Sequence, residues 1–113
     1  MVEIYEYNGE GYDKTMNYGE WRVAFLNYAE RFDIEKMTKL ERHTLTDEVF
    51  VLLFGEAQLV LEQKLVPMEK GKIYNVPKNV WHGISVSKDA KVLIVENHNT
   101  SADNTEFKPF VKF

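Results

Sequence analysis

The stretch that decides the fold of this chain is Glu41-Arg-His43-Thr-Leu-Thr-Asp-Glu48-Val-Phe-Val-Leu-Leu-Phe-Gly55. It places two glutamates and an imidazole within eight residues, and it ends in an apolar strand and a glycine. A second stretch starts sixteen residues after that glycine and reads Gly71-Lys-Ile-Tyr-Asn-Val-Pro77-Lys-Asn79-Val-Trp-His82. We expect the rest of the chain to be a scaffold for these two pieces.

Short strands separated by turns fill most of the sequence around these stretches. Strand-like segments lie at 2–7, 21–28, 36–43, 49–54, 57–62, 64–68, 72–76, 80–87 and 91–96. Strands at intervals of about ten residues, punctuated by glycine and proline, predict an all-β antiparallel barrel or jelly roll. Segments 49–54 and 57–62 are close enough to predict a hairpin. Segment 12–19 looks irregular, 97–105 looks like a polar loop, and only 29–36 has helical composition, enough for a turn or two.

Length and composition favour one domain spanning 1–113, with the first stretch at 41–55, the second at 71–86 and a C-terminal arm at 106–113. Cysteine is absent, which excludes disulfides, thiolate zinc sites and cysteine nucleophiles. The net charge is −4 and the basic residues are scattered, so we expect no nucleic-acid partner. No apolar run is long enough for a membrane span, and the N-terminus lacks the pattern of a secretory signal. We therefore expect a cytoplasmic protein.

Strand parity brings the polar residues of the first stretch onto one face. Glu41 and His43 are two apart, and the four residues after them can form a hairpin loop that returns Glu48 to their side. Glu48 shares its face with large apolar residues, where a carboxylate is costly unless it is paired or bound to a cation. His82 shares its parity with Ile84, so it also faces the apolar interior. An imidazole and carboxylate set of this kind can bind first-row divalent metals.

The same residues resemble the two motifs of the cupins, which are small β-barrels. The family motifs read His-x-His-x3–4-Glu-x6-Gly and Gly-x5-Pro-x-Gly-x2-His-x3-Asn. The matching positions here are His43-x4-Glu48-x6-Gly55 and Gly71-x5-Pro77-x-Asn79-x2-His82. The chain departs from the pattern at three positions: Glu41 stands in place of the first histidine, Asn79 in place of a glycine, and Val86 in place of the last asparagine.

The resemblance implies a divalent metal held by Glu41, His43, Glu48 and His82. Cupins usually use three histidines and one glutamate, and a second carboxylate makes the set harder, which favours manganese or iron over zinc or nickel. Other interpretations stay open. Glu41 can be a general base beside the metal or a solvated charge, His43 can bond backbone at a hairpin end, and His82 can be a core histidine. Some cupins have no metal at all.

Three functions fit this sequence. The first is a metal-dependent enzyme acting on a small molecule such as a sugar or an oxo acid, and the second is a binding module without turnover. The third is a structural barrel with an empty site. By parity Arg42 points away from Glu41 and His43, so the first motif offers no inward guanidinium. We therefore favour a neutral or singly charged ligand.

Apolar residues at both termini suggest an assembly. Val2 and Ile4 lie at one end, and Phe107, Phe110 and Phe113 at the other. Terminal residues stay disordered unless something ties them down. The C-terminal arm can fold back over its own barrel or reach a partner's sheet across a two-fold axis. We expect a homodimer.

Overall fold

The computed structural model describes residues 1–113 as ten strands and two single turns of 3-10 helix. The strands are β1 (Tyr12–Tyr18), β2 (Trp21–Asn27), β3 (Lys39–His43), β4 (Glu48–Phe54), β5 (Ala57–Val60), β6 (Leu65–Pro67), β7 (Tyr74–Val76), β8 (Gly83–Val86), β9 (Lys91–Asn97) and β10 (Thr105–Pro109). The helical turns are Glu30–Phe32 and Ala102–Asn104. Neither has the length and apolar character that a membrane-spanning helix requires.

The strands form two facing layers. One layer is a five-stranded antiparallel sheet in the order β1-β2-β9-β4-β7. The other layer combines the pair β10-β3 with the three strands β6-β5-β8. A single bridge joins these two small sheets, in which the Glu41 and His82 amides each donate to the other's carbonyl oxygen at 2.9 and 2.8 Å. This is the jelly roll that the strand pattern predicts, and the prediction is confirmed.

The main core lies between the layers. Alternation places one side of each strand inward, so Val92 and Ile94 of β9 are almost fully buried. The core contains Ala24, Leu26, Phe50, Leu52, Leu59, Met68, Val76, Ile84, Val86, Ala90, Val92 and Ile94. Large side chains of this kind each contribute roughly 1.5–3 kcal/mol on burial, which is enough to hold the two layers together around a polar site.

In the N-terminal region, the first strand does not lie where the sequence predicts it. Segment 2–7 forms no strand, whereas 12–18 forms β1, which pairs with β2 at the edge of the large sheet. The prediction of an irregular 12–19 was wrong because a shift in register between Asp13 and Met16 interrupts the alternation. The prediction of a helical turn or two at 29–36 reduces to the 3-10 turn at Glu30–Phe32.

The predicted hairpin of 49–54 with 57–62 is also wrong. β4 pairs with β9 and β7, whereas β5 pairs with β6 and β8 in the opposite layer. Gly55 lies between them at a φ of +75°, and the turn there sends the chain from one layer to the other. The short spacing therefore marks a crossover between layers and not a hairpin within a sheet.

The C-terminal arm folds back on its own chain. β10 pairs antiparallel with β3, and Phe110 packs with Leu40 and Val60 in a second, smaller apolar cluster. At the other end, Val2 and Ile4 remain 79 and 89% exposed. The C-terminal arm buries only Phe110, since Phe107, Val111 and Phe113 stay 51, 86 and 54% exposed.

We expect Gly55→Ala to lower the free energy of unfolding by about 3 kcal/mol or more, since it combines a left-handed backbone with a steric clash. An added Cβ would lie 2.7 Å from the Ala90 Cα. Gly71→Ala is the matched control, because its φ is +81° but nothing lies within 4 Å, and it should cost about 1 kcal/mol. Urea unfolding of both variants measures the difference; equal losses would show that the contact with Ala90 does not matter.

Candidate metal centre

The four predicted ligands come together at one place between the layers. Glu41 and His43 lie on β3, Glu48 begins β4, and His82 directly precedes β8. Their candidate donor atoms all lie within 4.8 Å of one another. Glu48, His43 and His82 are buried, and Glu41 is the partly exposed member. Ligation itself stays a prediction, but the residues are where it requires them.

Two turns fix the backbone around the imidazoles. Asn79 has a φ of +70°, the left-handed conformation expected where the family motif has glycine, and its amide donates to the His43 carbonyl at 2.8 Å. Asp47 accepts from the Lys78 amide at 2.9 Å and from the Asn75 side chain at 3.1 Å. The loop of the first motif is therefore tied to the turn of the second.

The donor spacing of the three buried residues is close to that of a metal site, and Glu41 is the outlying member. The Nε2 atoms of His43 and His82 lie 3.0 and 2.9 Å from Glu48 Oε1, and Glu41 Oε1 lies 3.7 Å from His43 Nε2. Adjacent ligand atoms that are each about 2.1 Å from one ion lie roughly 3 Å apart. The set is thus close to the separation that a shared cation imposes.

The outer nitrogens of both rings are held in place. His82 Nδ1 donates to the Val80 carbonyl at 2.9 Å, and His43 Nδ1 lies 3.0 Å from Thr105 Oγ1. Contacts of this kind orient ligating imidazoles and direct their Nε2 atoms at the metal. Since a carbonyl and a carboxylate can only accept, the protonated His82 ring can donate from both nitrogens. A bound metal would replace the Nε2 proton.

The electrostatics follow from this arrangement. Burial raises the pKa of Glu48, but the hydrogen bonds from His43 and His82 outweigh it and bring that pKa to about 2. Burial lowers the pKa of each histidine, but Glu48 outweighs it, so both are raised from 6.5. Burial and the neighbouring Glu48 raise the pKa of Glu41. In the metal-free centre these shifts favour an ionised Glu48 paired with protonated imidazoles, with Glu41 beside them.

The pairs of Glu48 with the imidazoles should stabilise the metal-free protein most between about pH 4.5 and 6.5. The Glu48 contribution is present above 4.5 and is lost as pH falls towards 2. The histidine contributions are present below 6.5 and are lost as pH rises through their raised pKa values. Urea unfolding of chelator-treated protein across this range checks the result. Glu48→Gln is the control and should flatten the profile; an unchanged profile would contradict the assignment.

A second polar cluster, Tyr12–Arg22–Glu96, lies in the same pocket and was missed from the sequence. The Tyr12 hydroxyl donates to Glu96, and Arg22 Nη1 lies 3.4 Å from the same carboxylate. Burial and the charge of Glu48 raise the pKa of Glu96, and burial with the Glu96 contact raises the pKa of Tyr12. The missed signal is parity, because Glu96 shares its strand face with Val92 and Ile94.

The pocket that contains both clusters has a volume of about 500 Å³. Its walls come from both layers, with Phe50, Ile84 and Ile94 supplying apolar surface. Arg42 is not among the lining residues; it pairs with Glu106 at 2.6 Å and lies over the Trp81 ring. The expectation that Arg42 points away from the site is confirmed. The pocket has room for a small molecule beside the four predicted ligands.

Comparisons with known proteins agree on the fold. The chain is similar to a cupin-2 domain protein from Shewanella frigidimarina, with a TM-score of 0.62 and 20% identity over 81% of this chain and 85% of that one. Streptomyces Pac13 with uridine matches with a TM-score of 0.70 and 14% identity over 99 and 95%, and Pac13 is described as a nucleoside dehydratase. An RmlC-like cupin from Methanocaldococcus jannaschii matches with a TM-score of 0.64 and 18% identity over 86 and 91%. No curated protein sequence matches.

The family assignment depends on the sequence itself. The family model described as Cupin domain matches residues 30–96, which is more than half of the chain and includes both motif stretches. The solved structures share the overall fold, with TM-scores of 0.62 and 0.64. The chain therefore belongs to the cupin domain family.

Proposed function

We propose that this chain is a divalent-metal-dependent enzyme that converts a small oxygen-bearing molecule, such as a sugar or an oxo acid. The observation that carries the proposal is the meeting of three buried donors, from both layers, at about 3 Å on the wall of a 500 Å³ pocket. Two carboxylates in the set favour Mn²⁺ or Fe²⁺ over Zn²⁺ or Ni²⁺. When bound, the ion would polarise a carbonyl or hydroxyl oxygen of the ligand.

The residues around the ion supply groups that can move protons. The Glu41 carboxylate makes no side-chain hydrogen bond and is 39% exposed, which makes it the most accessible of the four. Its raised pKa suits a general base, and it is also the candidate fourth ligand. Tyr12 and Glu96 form a hydrogen-bonded acid–base pair in the same pocket. Proton-transfer groups beside a polarising ion favour turnover over binding alone.

Elemental analysis of protein purified without chelator or nickel resin tests the proposal. We expect close to one equivalent of manganese or iron in each chain. Native mass spectrometry then looks for a co-purified ligand, and a turnover screen covers sugars, oxo acids and nucleosides, the last because of the similar Pac13 structure with uridine. A protein that neither retains nor binds a divalent metal would overturn the proposal. Metal binding without turnover across the panel would favour the binding module.

Glu41→Gln separates the two roles of that residue. A general base should lose turnover while metal stoichiometry is kept, whereas a ligand should lose metal affinity as well. Glu56→Gln is the matched control, because this glutamate is exposed and lies outside both the pocket lining and the cluster of four.

We also propose that the protein works in the cytoplasm as a homodimer. The support is the exposure of Val2 and Ile4, in the segment that precedes β1 in the chain, and the position of β1 at the edge of the large sheet. A second copy that pairs with this edge would cover both. Light scattering should give about twice the 13.3 kDa chain mass. Deleting residues 1–5 should give a monomer, and replacing Val111, which is 86% exposed at the other terminus, by serine is the control. A full-length monomer at high concentration would refute the dimer.

A further inference from the structure

We infer that the ligand of this pocket carries an anionic group, a carboxylate or a phosphate, that Lys14, Arg31 and Lys39 bind at the pocket mouth. The inference also directs the ligand's other end towards the four predicted metal ligands, and this part of it rests on the proposed function. The anion site itself does not, because it stands on a different set of residues.

The pocket collects positive charge from a chain that is acidic. The whole chain has 14 basic and 18 acidic residues. The pocket lining nevertheless contains five basic residues, Lys14, Arg22, Arg31, Lys36 and Lys39, and only three acidic ones, Glu41, Glu48 and Glu96. A concave site with an excess of one charge concentrates ligands of the opposite charge.

The charges are also separated by depth. Glu48 and Glu96 are buried; Glu48 lies within 3.0 Å of both imidazoles, and Glu96 pairs with Arg22. Lys14, Arg31 and Lys39, by contrast, are exposed. Two of the three acidic groups therefore lie inside the pocket, and where a ligand enters three exposed cations outnumber the partly exposed Glu41.

The three mouth cations have no carboxylate partner within 4.0 Å, since none of them occurs among the ion pairs of the structure. Lys36 pairs with Glu30 at 3.4 Å, but both side chains are more than half exposed, so that pair holds it weakly. Unpaired cations around one cavity are available to an anion from solution.

Two of these cations are held in position by aromatic rings that also line the pocket. The Arg31 guanidinium lies 4.6 Å from the centre of the Phe32 ring, and Lys39 Nζ lies 4.1 Å from that of Phe107. Arg31 also packs against Gly11, where an added Cβ would be 3.1 Å from Nη2. Contacts of this kind orient a cation without using its N–H donors. The donors stay free for carboxylate or phosphate oxygens.

This placement changes the expectation drawn from the sequence. Arg42 does point away, and the absence of an inward guanidinium in the first motif is the reason that the sequence favours a neutral or singly charged ligand. Lys14 comes from β1, which the sequence did not reveal as a strand, and Arg31 from the 3-10 turn. The fold thus supplies the anion-binding groups from outside the two motifs.

The test is a ¹⁵N NMR titration of the metal-free protein with inorganic phosphate and, separately, with acetate, against sodium chloride at equal ionic strength. We expect saturable shifts of the Lys14, Arg31 and Lys39 amides. Phosphate and acetate distinguish the two classes of anion. The triple variant Lys14→Gln, Arg31→Gln, Lys39→Gln should weaken binding by about ten-fold or more, since each lost charge-assisted contact is worth about that factor.

The matched control is Lys64→Gln, Lys78→Gln, Lys88→Gln, which removes the same charge from residues outside the pocket lining. It should bind as the parent does. The inference is overturned if neither anion shifts the mouth amides, or if both triple variants lose affinity equally. Because the anion titration uses metal-free protein, the two proposals can fail separately. Anion binding by a protein without metal affinity would contradict only the proposed function. Metal binding by a protein that binds neither anion would contradict only this inference.

Discussion

Replacing His82 by alanine should lower the affinity for a divalent metal by more than about 100-fold, because loss of an outer contact to a ligand already costs about 10–100-fold. His82 is the only predicted ligand from the second motif, its side chain is 3% exposed, and its Nε2 lies 2.9 Å from Glu48 Oε1. Glu48→Gln should also weaken binding strongly, since it removes charge while keeping shape. Competition with a fluorescent chelator for Mn²⁺ and Zn²⁺ measures both.

His98→Ala is the control for His82→Ala. His98 is the third histidine of the chain, it is exposed, and it lies outside the cluster of four. Its backbone carbonyl oxygen accepts a hydrogen bond from Arg22, and the substitution keeps that carbonyl. Metal affinity should therefore match the parent. If the His82 and Glu48 variants both retain metal at the parental stoichiometry, the proposed ligand set is wrong.

Arg22→Met should lower the free energy of unfolding by about 3–5 kcal/mol, as expected when one partner of a buried ion pair is removed. The guanidinium is 9% exposed; it pairs with Glu96 at 3.4 Å and donates to the carbonyl oxygens of His98 and Thr100 at 2.6 and 3.4 Å. Its loss leaves a buried carboxylate without its cation and two carbonyl groups without a donor. Urea unfolding measures the change.

Arg42→Met is the control for the charge change. Its pair with Glu106 is partly exposed, at 33 and 53%, so the loss should be about 1 kcal/mol or less. The double variant Arg22→Met, Glu96→Leu should recover much of the stability, because no charge is then left unpaired. If Arg22→Met lowers the free energy of unfolding no more than Arg42→Met does, the buried pair contributes no more to stability than the partly exposed one.

Glu48 and His82 could be predicted because each breaks the apolar pattern of an inward strand face, whereas Glu41 and His43 share a face with Lys39 and were found by their spacing and by the motif. Glu48 precedes Phe50 and Leu52 on one face, and His82 precedes Ile84 in the same way. Glu96 breaks the face of β9 by the same rule, so the second polar cluster could have been found as well. Parity within a strand requires only local sequence, and it is reliable wherever the strand itself is recognised.

Pairing and topology could not be predicted from local sequence. β4 and β5 are separated by two residues, yet they lie in opposite layers, since the turn at Gly55 directs the chain across the core. β1 was missed because its inward residues are interrupted by the register shift and because Lys14 and Asn17 make it polar. Both features depend on contacts between distant segments, and the cations of the pocket mouth depend on them too.

The single bridge between Glu41 and His82 has a thermodynamic consequence. Its two amide hydrogen bonds are the connection between β10-β3 and β6-β5-β8, and both of its residues are candidate metal ligands. An ion that binds only the closed bridge would stabilise it by about 2.7 kcal/mol at a concentration 100 times its Kd. Hydrogen exchange at these two amides would then slow by a factor of one plus the ratio of the ion concentration to its Kd, about 100-fold at that concentration. The rate at which two backbone protons are lost to solvent thus becomes a measure of the ion's chemical potential.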